Sequence, residues 1–562
     1  MSVFLSNLDD FIAPGQACVN PLVKNKATTE PTSGGRITLE TDFSNTEFDG
    51  PLKQEPNLIR SKATASSKVA TVSLNDCLAC SGCVTTAETM LIQTQSHDRL
   101  LEKLIEAREQ PQMRIAVAIS PQSRASLAEK LGMSMSDTFL KIASVLKAMG
   151  VTYVLDSASA GDVALIEARE EFLLRYRGGS SSSRSGSAQK LDWKAGDVSS
   201  AVNSREINVY GRPDDPEAPL AIKGSKYVGV PSPLAQGPMI VSHCPGWVCY
   251  AEKTLPESLP YVSTAKSSQQ ILGATLKAYF SALSDEAESM YVACVQPCFD
   301  KKLEASRLDF LNASTEEQEV DLVISTTELW RLLEMQAEEV GQGESIEDFV
   351  SNSALDDALG SGEVERLFRT YSEDGQQLVI SADAEAGSGG YMDYIVRYTA
   401  RAEFGLDLGT EKLEYKAGRN ADIAEVVVKG ETPGGGSREL HVAKVYGFRN
   451  IQSTMLKLKR GKCTFDLMEV MACPSGCING GGQLRSNERE TASEGKERVA
   501  AVDAVYHSVQ MLRSPDESPL VKYLYSAERL GAPMTEAARG LLHTRYHTVP
   551  KLEEIAPLAT KW

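Results

Sequence analysis

A mostly apolar run from Phe465 to Met471 stops at two cysteines, Cys473 and Cys477, and Gly480-Gly481-Gly482 follows close behind. That order implies a buried strand, a thiol turn and a hinge, and it constrains the fold more than any other stretch. Thiolates that reach one inorganic centre from a strand end need backbone able to curl inward, which glycine permits because it has no side chain. Two sulfurs do not hold a cluster. The rest of the chain must bring further cysteines to the same edge.

Two are suitably placed. Cys244 directly follows a strand read over Met239 to Val241, and Cys298 directly follows one read over Met290 to Val295. In an open parallel sheet the carboxyl edge is where ligands gather. Cys244, Cys298, Cys473 and Cys477 therefore make a convergent set of four thiolates, the number one cubane needs. A second set begins with Cys77, Cys80 and Cys83, a C-x2-C-x2-C run that can wrap three corners of a cubane. Its fourth ligand must come from a distance, and Cys18 is the nearest unclaimed candidate. A four-cysteine zinc site is the alternative for this set. Cys249, Cys294 and Cys463 read as packing residues, free cysteine being common in cores.

The remaining chain reads as α/β. Short apolar strands (Arg114 to Ile119, Thr152 to Asp156, Val320 to Ser325) alternate with helices (Ser136 to Met149, Ala164 to Tyr176, Ser267 to Leu283, Thr326 to Glu339), which implies a mostly parallel sheet. Helix Met392 to Ala402 follows Gly387-Ser388-Gly389-Gly390, and strands near Ala424 to Val428 and His441 to Val445 lead through helix Ile451 to Lys459 into the opening stretch. The expected organisation is an irregular N-terminal cluster-binding domain (1–109), a two-lobed core (110–515) with insertions near 178–219 and 341–362, and a helical tail (516–562). Helices are expected over Glu497 to Leu512, Ser518 to Leu530 and Thr535 to Leu542.

A net charge of -18 argues against a nucleic-acid or anionic-membrane surface, because phosphates would meet a repelling field. No apolar run is long enough to span a bilayer and no signal-peptide pattern opens the chain, so a protein that is not secreted is expected, with its eleven cysteines kept as thiols. Neither a Walker A loop nor a dinucleotide fingerprint stands in its required strand-to-helix setting.

Three segments resemble the signature loops of iron-only hydrogenases, which read T-S-C-C-P-x-W, M-P-C-x-x-K and E-x-M-A-C-x-x-G-C-x-x-G-G-G-Q. Glu469 to Gln483 matches the third at every fixed position, and the resemblance extends over roughly Arg114 to Tyr546, including the turn and helix at Gly387 to Arg401, Ser518 to Tyr525, and Leu541 to Thr544. Two departures matter. His243 stands where the hydrogenases carry a proton-donating cysteine, and Gln296 replaces the methionine before Pro-Cys. An imidazole of different size and reach is a poor substitute for that thiol. Leu5 to Ile12, Cys18 and Asn75 to Cys83 instead resemble the hydrogenase-like Nar family of cytosolic iron–sulfur protein assembly factors, over nearly the whole chain.

That resemblance implies an assembly and carrier protein rather than an enzyme, with a hydrogenase-like fold of two lobes and a cluster in the cleft. It implies two 4Fe–4S clusters, one on Cys18, Cys77, Cys80 and Cys83, the other on Cys244, Cys298, Cys473 and Cys477. The family bridges an early scaffold to a late targeting complex that serves cytosolic and nuclear apoproteins. Its members end in a tryptophan taken by the targeting complex, here Trp562 and a subunit expected to be of WD40 type, although Lys561 replaces the usual acidic neighbour. No nucleic acid or membrane partner is implied. An iron-only hydrogenase or another cluster-based redox enzyme is the alternative. Lys301 would offset cluster charge, and Glu304 and Glu469 would make structural hydrogen bonds or belong to a relict proton path. His543 and His547 stand four apart on a possible helix face and could share a metal, but no carboxylate or cysteine companion stands nearby to complete such a site.

Overall fold

The computed structural model describes residues 91–178, 237–283, 289–312, 317–340, 344–353, 362–368, 379–381, 387–409, 413–418, 420–431, 436–485, 490–509 and 511–549. One sheet has the order β2-β1-β4-β5, built from β1 (Met113–Ile119), β2 (Tyr153–Asp156), β4 (Ser289–Gln296) and β5 (Leu322–Ser325), all parallel. These strands are near-continuous apolar runs because both faces are covered. Ala116, Ala118, Val292 and Cys294 face one core, while Ile115, Val117, Ala293 and Val295 face another, as a period of two demands.

The second sheet has the order β3-β10-β9-β8-β7, with β3 (Met239–Val241), β10 (Leu467–Met471) and β9 (Ser437–Tyr446) parallel. β8 (Ile423–Glu431) and β7 (Lys416–Ala417) extend it as antiparallel hairpin partners. Helices Pro245–Thr254 and Phe448–Lys459 cover one face through Trp247, Ile451 and Met455. The other face shares a single core with the first sheet, filled by helices Ala158–Gly178, Ser268–Leu283 and Tyr391–Phe404. Two α/β lobes thus join across packed helices.

Local signals explain the punctuation. Ser120 and Ser134 cap helices Pro121–Leu131 and Met135–Met149 by accepting from Ser123 N and Asp137 N, and Gly132 and Gly150 end them in left-handed conformation. Helix His97–Glu109, within a stretch read as irregular, buries Leu100 and Leu104 against the first sheet.

The tail departs from three helices in a row. Ala492–Tyr506 is helical, but Met511–Arg513 forms β11, which pairs in parallel with β6 (Val379–Ser381). The expected helix Ser518 to Leu530 ends at Leu524, and Tyr525 turns its hydroxyl to Glu167. Most of the two expected insertions lies outside the described residues, although the second contains helix Ile346–Asn352.

Candidate metal centre

The carboxyl ends of the parallel strands in both sheets face one cavity. Cys244 follows β3 and caps helix Pro245–Thr254. Its backbone N–H donates to Ser242 Oγ at 3.1 Å, and that hydroxyl donates to Val470 O of β10 at 2.5 Å. Cys298 lies between β4 and the short helix Asp300–Ala305. Cys473 and Cys477 follow β10, and the N–H of Cys477 donates to Ser388 Oγ at 3.0 Å. The hinge glycines allow the two cysteine loops to close on each other: Gly482 N donates to Pro297 O at 2.8 Å, and a Cβ at Gly480 would collide with that carbonyl. All four cysteines line the cavity, with His243 and Lys301 beside them.

Electrostatics shows what the site lacks. Burial pushes all four thiols up: Cys298 and Cys473 rise well above the ordinary value of 9.0, Cys477 to about 12, and Cys244 less steeply. Asp300 adds to the rise at Cys244 and Cys298, and Cys473 feels the negative charge of the other three sulfurs. Four thiolates can coexist here only around a cationic core, whose binding would release their protons. Four cysteines around one cavity are a donor set that fits an iron–sulfur core, which holds its cysteines at separate corners.

The neighbours are accounted for. Burial and Lys301 push His243 down to about 3, and its Nε2 lies 3.2 Å from Cys477 Sγ. Lys301 Nζ donates to Glu304 Oε2 at 2.9 Å, and that carboxylate also accepts from Ser267 and Gln269. Lys302 turns the other way, to Glu328 and the Gln95 carbonyl. Glu469 is fully buried and accepts from Met392 N and the Tyr446 hydroxyl, so both glutamates make structural hydrogen bonds. Gln296 lines the cavity, and its Nε2 has no hydrogen-bond partner there. Cys294 sits inside β4 in the core, and Cys249 and Cys463 are half-buried thiols that do not line the cavity. His543 is buried between Thr264 and Glu167 while His547 is exposed beside Asp309, so the two share no metal site. Ser388, within the Gly387 to Gly390 turn, and Asp300, two residues past Cys298, carry no signal of their own in the sequence, and only the pairing of distant loops gives them a role. Cys18, Cys77, Cys80, Cys83 and Trp562 lie outside the described residues.

A two-lobed α/β core with four cysteines on facing strand ends defines the iron-only hydrogenase class. Residues 113–186 and 225–481 match the iron only hydrogenase large subunit, C-terminal domain, and 493–549 match the iron hydrogenase small subunit. A solved FeFe-hydrogenase variant from Chlamydomonas reinhardtii shares the fold at a TM-score of 0.58 and 24% identity, over 81% of this chain and 99% of that one. Full-length likeness is to another branch. The "Cytosolic iron-sulfur assembly component 3" of Rattus norvegicus is 37% identical over 99% of this chain and 98% of its own length, and "Protein NAR1" of Arabidopsis thaliana is 34% identical over 97% and 96%. The chain belongs to this Nar family of cytosolic iron–sulfur assembly components.

Proposed function

We propose that the chain works in cytosolic iron–sulfur protein assembly, binding two 4Fe–4S clusters and relaying clusters from the scaffold that builds them to the targeting complex. One cluster is assigned to Cys18, Cys77, Cys80 and Cys83, the other to Cys244, Cys298, Cys473 and Cys477. The convergence of the second quartet on one cavity, in a chain whose relatives are named for assembly, carries this reading. When bound, an iron–sulfur core supplies cationic iron and one-electron exchange. The chain's own part is to hold Cys244 through Ser242 and Cys477 through Ser388, and to set the Lys301 ammonium near the thiolates. His243 and Gln296, in place of a relaying thiol and a methionine, favour a carrier over a hydrogen-evolving enzyme. The N-terminal cluster is the more labile of the two and the cleft cluster the more stable. Trp562 is assigned to a WD40-type subunit of the targeting complex, in the cytosol and also the nucleus, with apoproteins served indirectly.

Anaerobic reconstitution with iron, sulfide and zinc counts on the wild type and on each quartet replaced by alanine tests the assignment. About four irons should be lost with each quartet. Zinc without sulfide would overturn it. Hydrogen evolution from a reduced dye, with infrared bands of carbon monoxide and cyanide, would instead select the hydrogenase alternative.

A further inference from the structure

We infer that His243 is a positioning residue whose Nε2–H donates a hydrogen bond to the Cys477 sulfur and thereby latches the cleft cluster, an inference that rests on the quartet proposed above. The contact is 3.2 Å long, and His243 immediately precedes another member of the quartet, Cys244. A thiolate bound to iron carries no proton. The proton in this contact must therefore sit on the imidazole, which fixes the tautomer with Nδ1 unprotonated.

The ring is held from two further sides. The Tyr391 ring packs against it with centroids 5.7 Å apart and planes inclined at 57°. Gly389 approaches its Cε1–Nδ1 edge with φ +97°, a conformation that side chains rarely adopt, and a Cβ there would stand 2.7 Å from His243 Cε1 and 2.9 Å from Nδ1. The neighbouring Ser388 receives the N–H of Cys477 at 3.0 Å. One glycine-rich turn thus sets both the histidine and the cysteine it bonds. Cys473 and Cys477 share a short loop, and Cys477 is its distal member.

A hydrogen bond to a ligand sulfur stabilises the more negative state of a cluster and resists loss of the ligand. The test uses the full chain with Cys77, Cys80 and Cys83 replaced by alanine, so that only the cleft cluster is read. His243→Ala should lower its midpoint potential by ~30–60 mV, a threefold to tenfold change in the one-electron equilibrium. It should also hasten iron transfer to a chelator by about 10- to 100-fold, the range for a lost hydrogen bond to a charged group. His243→Gln, which keeps an N–H at similar reach, should restore most of both. Gly389→Ala should shift both in the direction of His243→Ala by displacing the ring. Wild-type potential and release in His243→Ala, or no recovery in His243→Gln, would overturn the latch while leaving the quartet standing. Iron content that Cys477→Ala does not reduce would overturn the quartet, and the latch with it.

Discussion

Glu167 and Glu171, buried on helix Ala158–Gly178, are each met by three donors from within the protein. Glu171 accepts from Arg175, Ser263 Oγ and Thr264 N. Glu167 accepts from the Tyr525 hydroxyl, Met534 N and His543 Nε2, and His543 Nδ1 accepts from Thr264 Oγ1 at 2.8 Å. Of the four cleft cysteines Cys244 is buried and the other three are half-buried, and against the charge of Asp300 and of one another the chain sets chiefly Lys301. A polar centre whose charges are answered internally fastens the fold. One whose donors all resist ionisation is complete only when a cation arrives.

The comparison breaks first on iron. Cys473→Ala should lose about four irons per chain, one cubane's worth, while Cys463→Ala, whose thiol contacts Met468 outside the quartet, should lose none. Metal analysis on anaerobically reconstituted protein decides it, and equal loss from both would mean the ligands are wrongly chosen. The internal knot should behave in the opposite way. Arg175→Leu strips Glu171 of its cation and also removes donors to the carbonyls of Pro260, Tyr261 and Val262, at a cost of about 3–5 kcal/mol. Urea denaturation should give that cost alike with and without iron. A cost that vanished in iron-free protein would tie the knot to the cleft.

These two centres were not equally legible. The quartet could be read because each apolar run stops abruptly at a cysteine, and β3 was placed to the residue at Met239–Val241. The knot could not. Glu167 and Glu171 stand among Arg169, Glu170 and Arg175 in what reads as the charged face of a helix, and only packing against residues roughly a hundred and nearly four hundred positions away reveals their burial. His543 and His547 invited a helical spacing argument, but the helix ends at Leu542 and the chain runs on extended. β11 was hidden for a related reason. Met511 to Arg513 continues an apolar pattern that suits a helix, and its pairing with Val379–Ser381 is set by a strand well over a hundred residues earlier. Helix Pro245–Thr254 was masked by its Pro-Gly opening, which signals a turn as readily as a first helical turn.

A smaller effect sharpens the contrast within the knot. His543→Ala removes one of three donors to Glu167 and leaves Thr264 Oγ1 without its acceptor, a loss of about 1–3 kcal/mol. It should loosen the C-terminal segment, seen as faster amide exchange near Met534 and Thr544, without altering iron content. Iron loss in this variant would show that the tail supports the cleft.

The smallest expected effect is a slope with pH. Burial works against ionisation of Glu171, yet Arg175 and His543, with the hydrogen bonds of Ser263 and Thr264, hold its carboxyl below the ordinary value of 4.5. In the window between its folded value and 4.5 the unfolded chain binds the extra proton. Stability from this group is therefore full above 4.5 and is lost as pH falls through the folded value. Its share of the slope is at most about 1.4 kcal/mol per pH unit. In iron-free protein, where acid release of a cluster cannot intervene, Glu171→Gln should reduce the acid slope by up to that amount and leave the slope near neutrality unchanged. An acid limb identical in the two proteins would assign it to other carboxylates and deprive the knot of its pH signature.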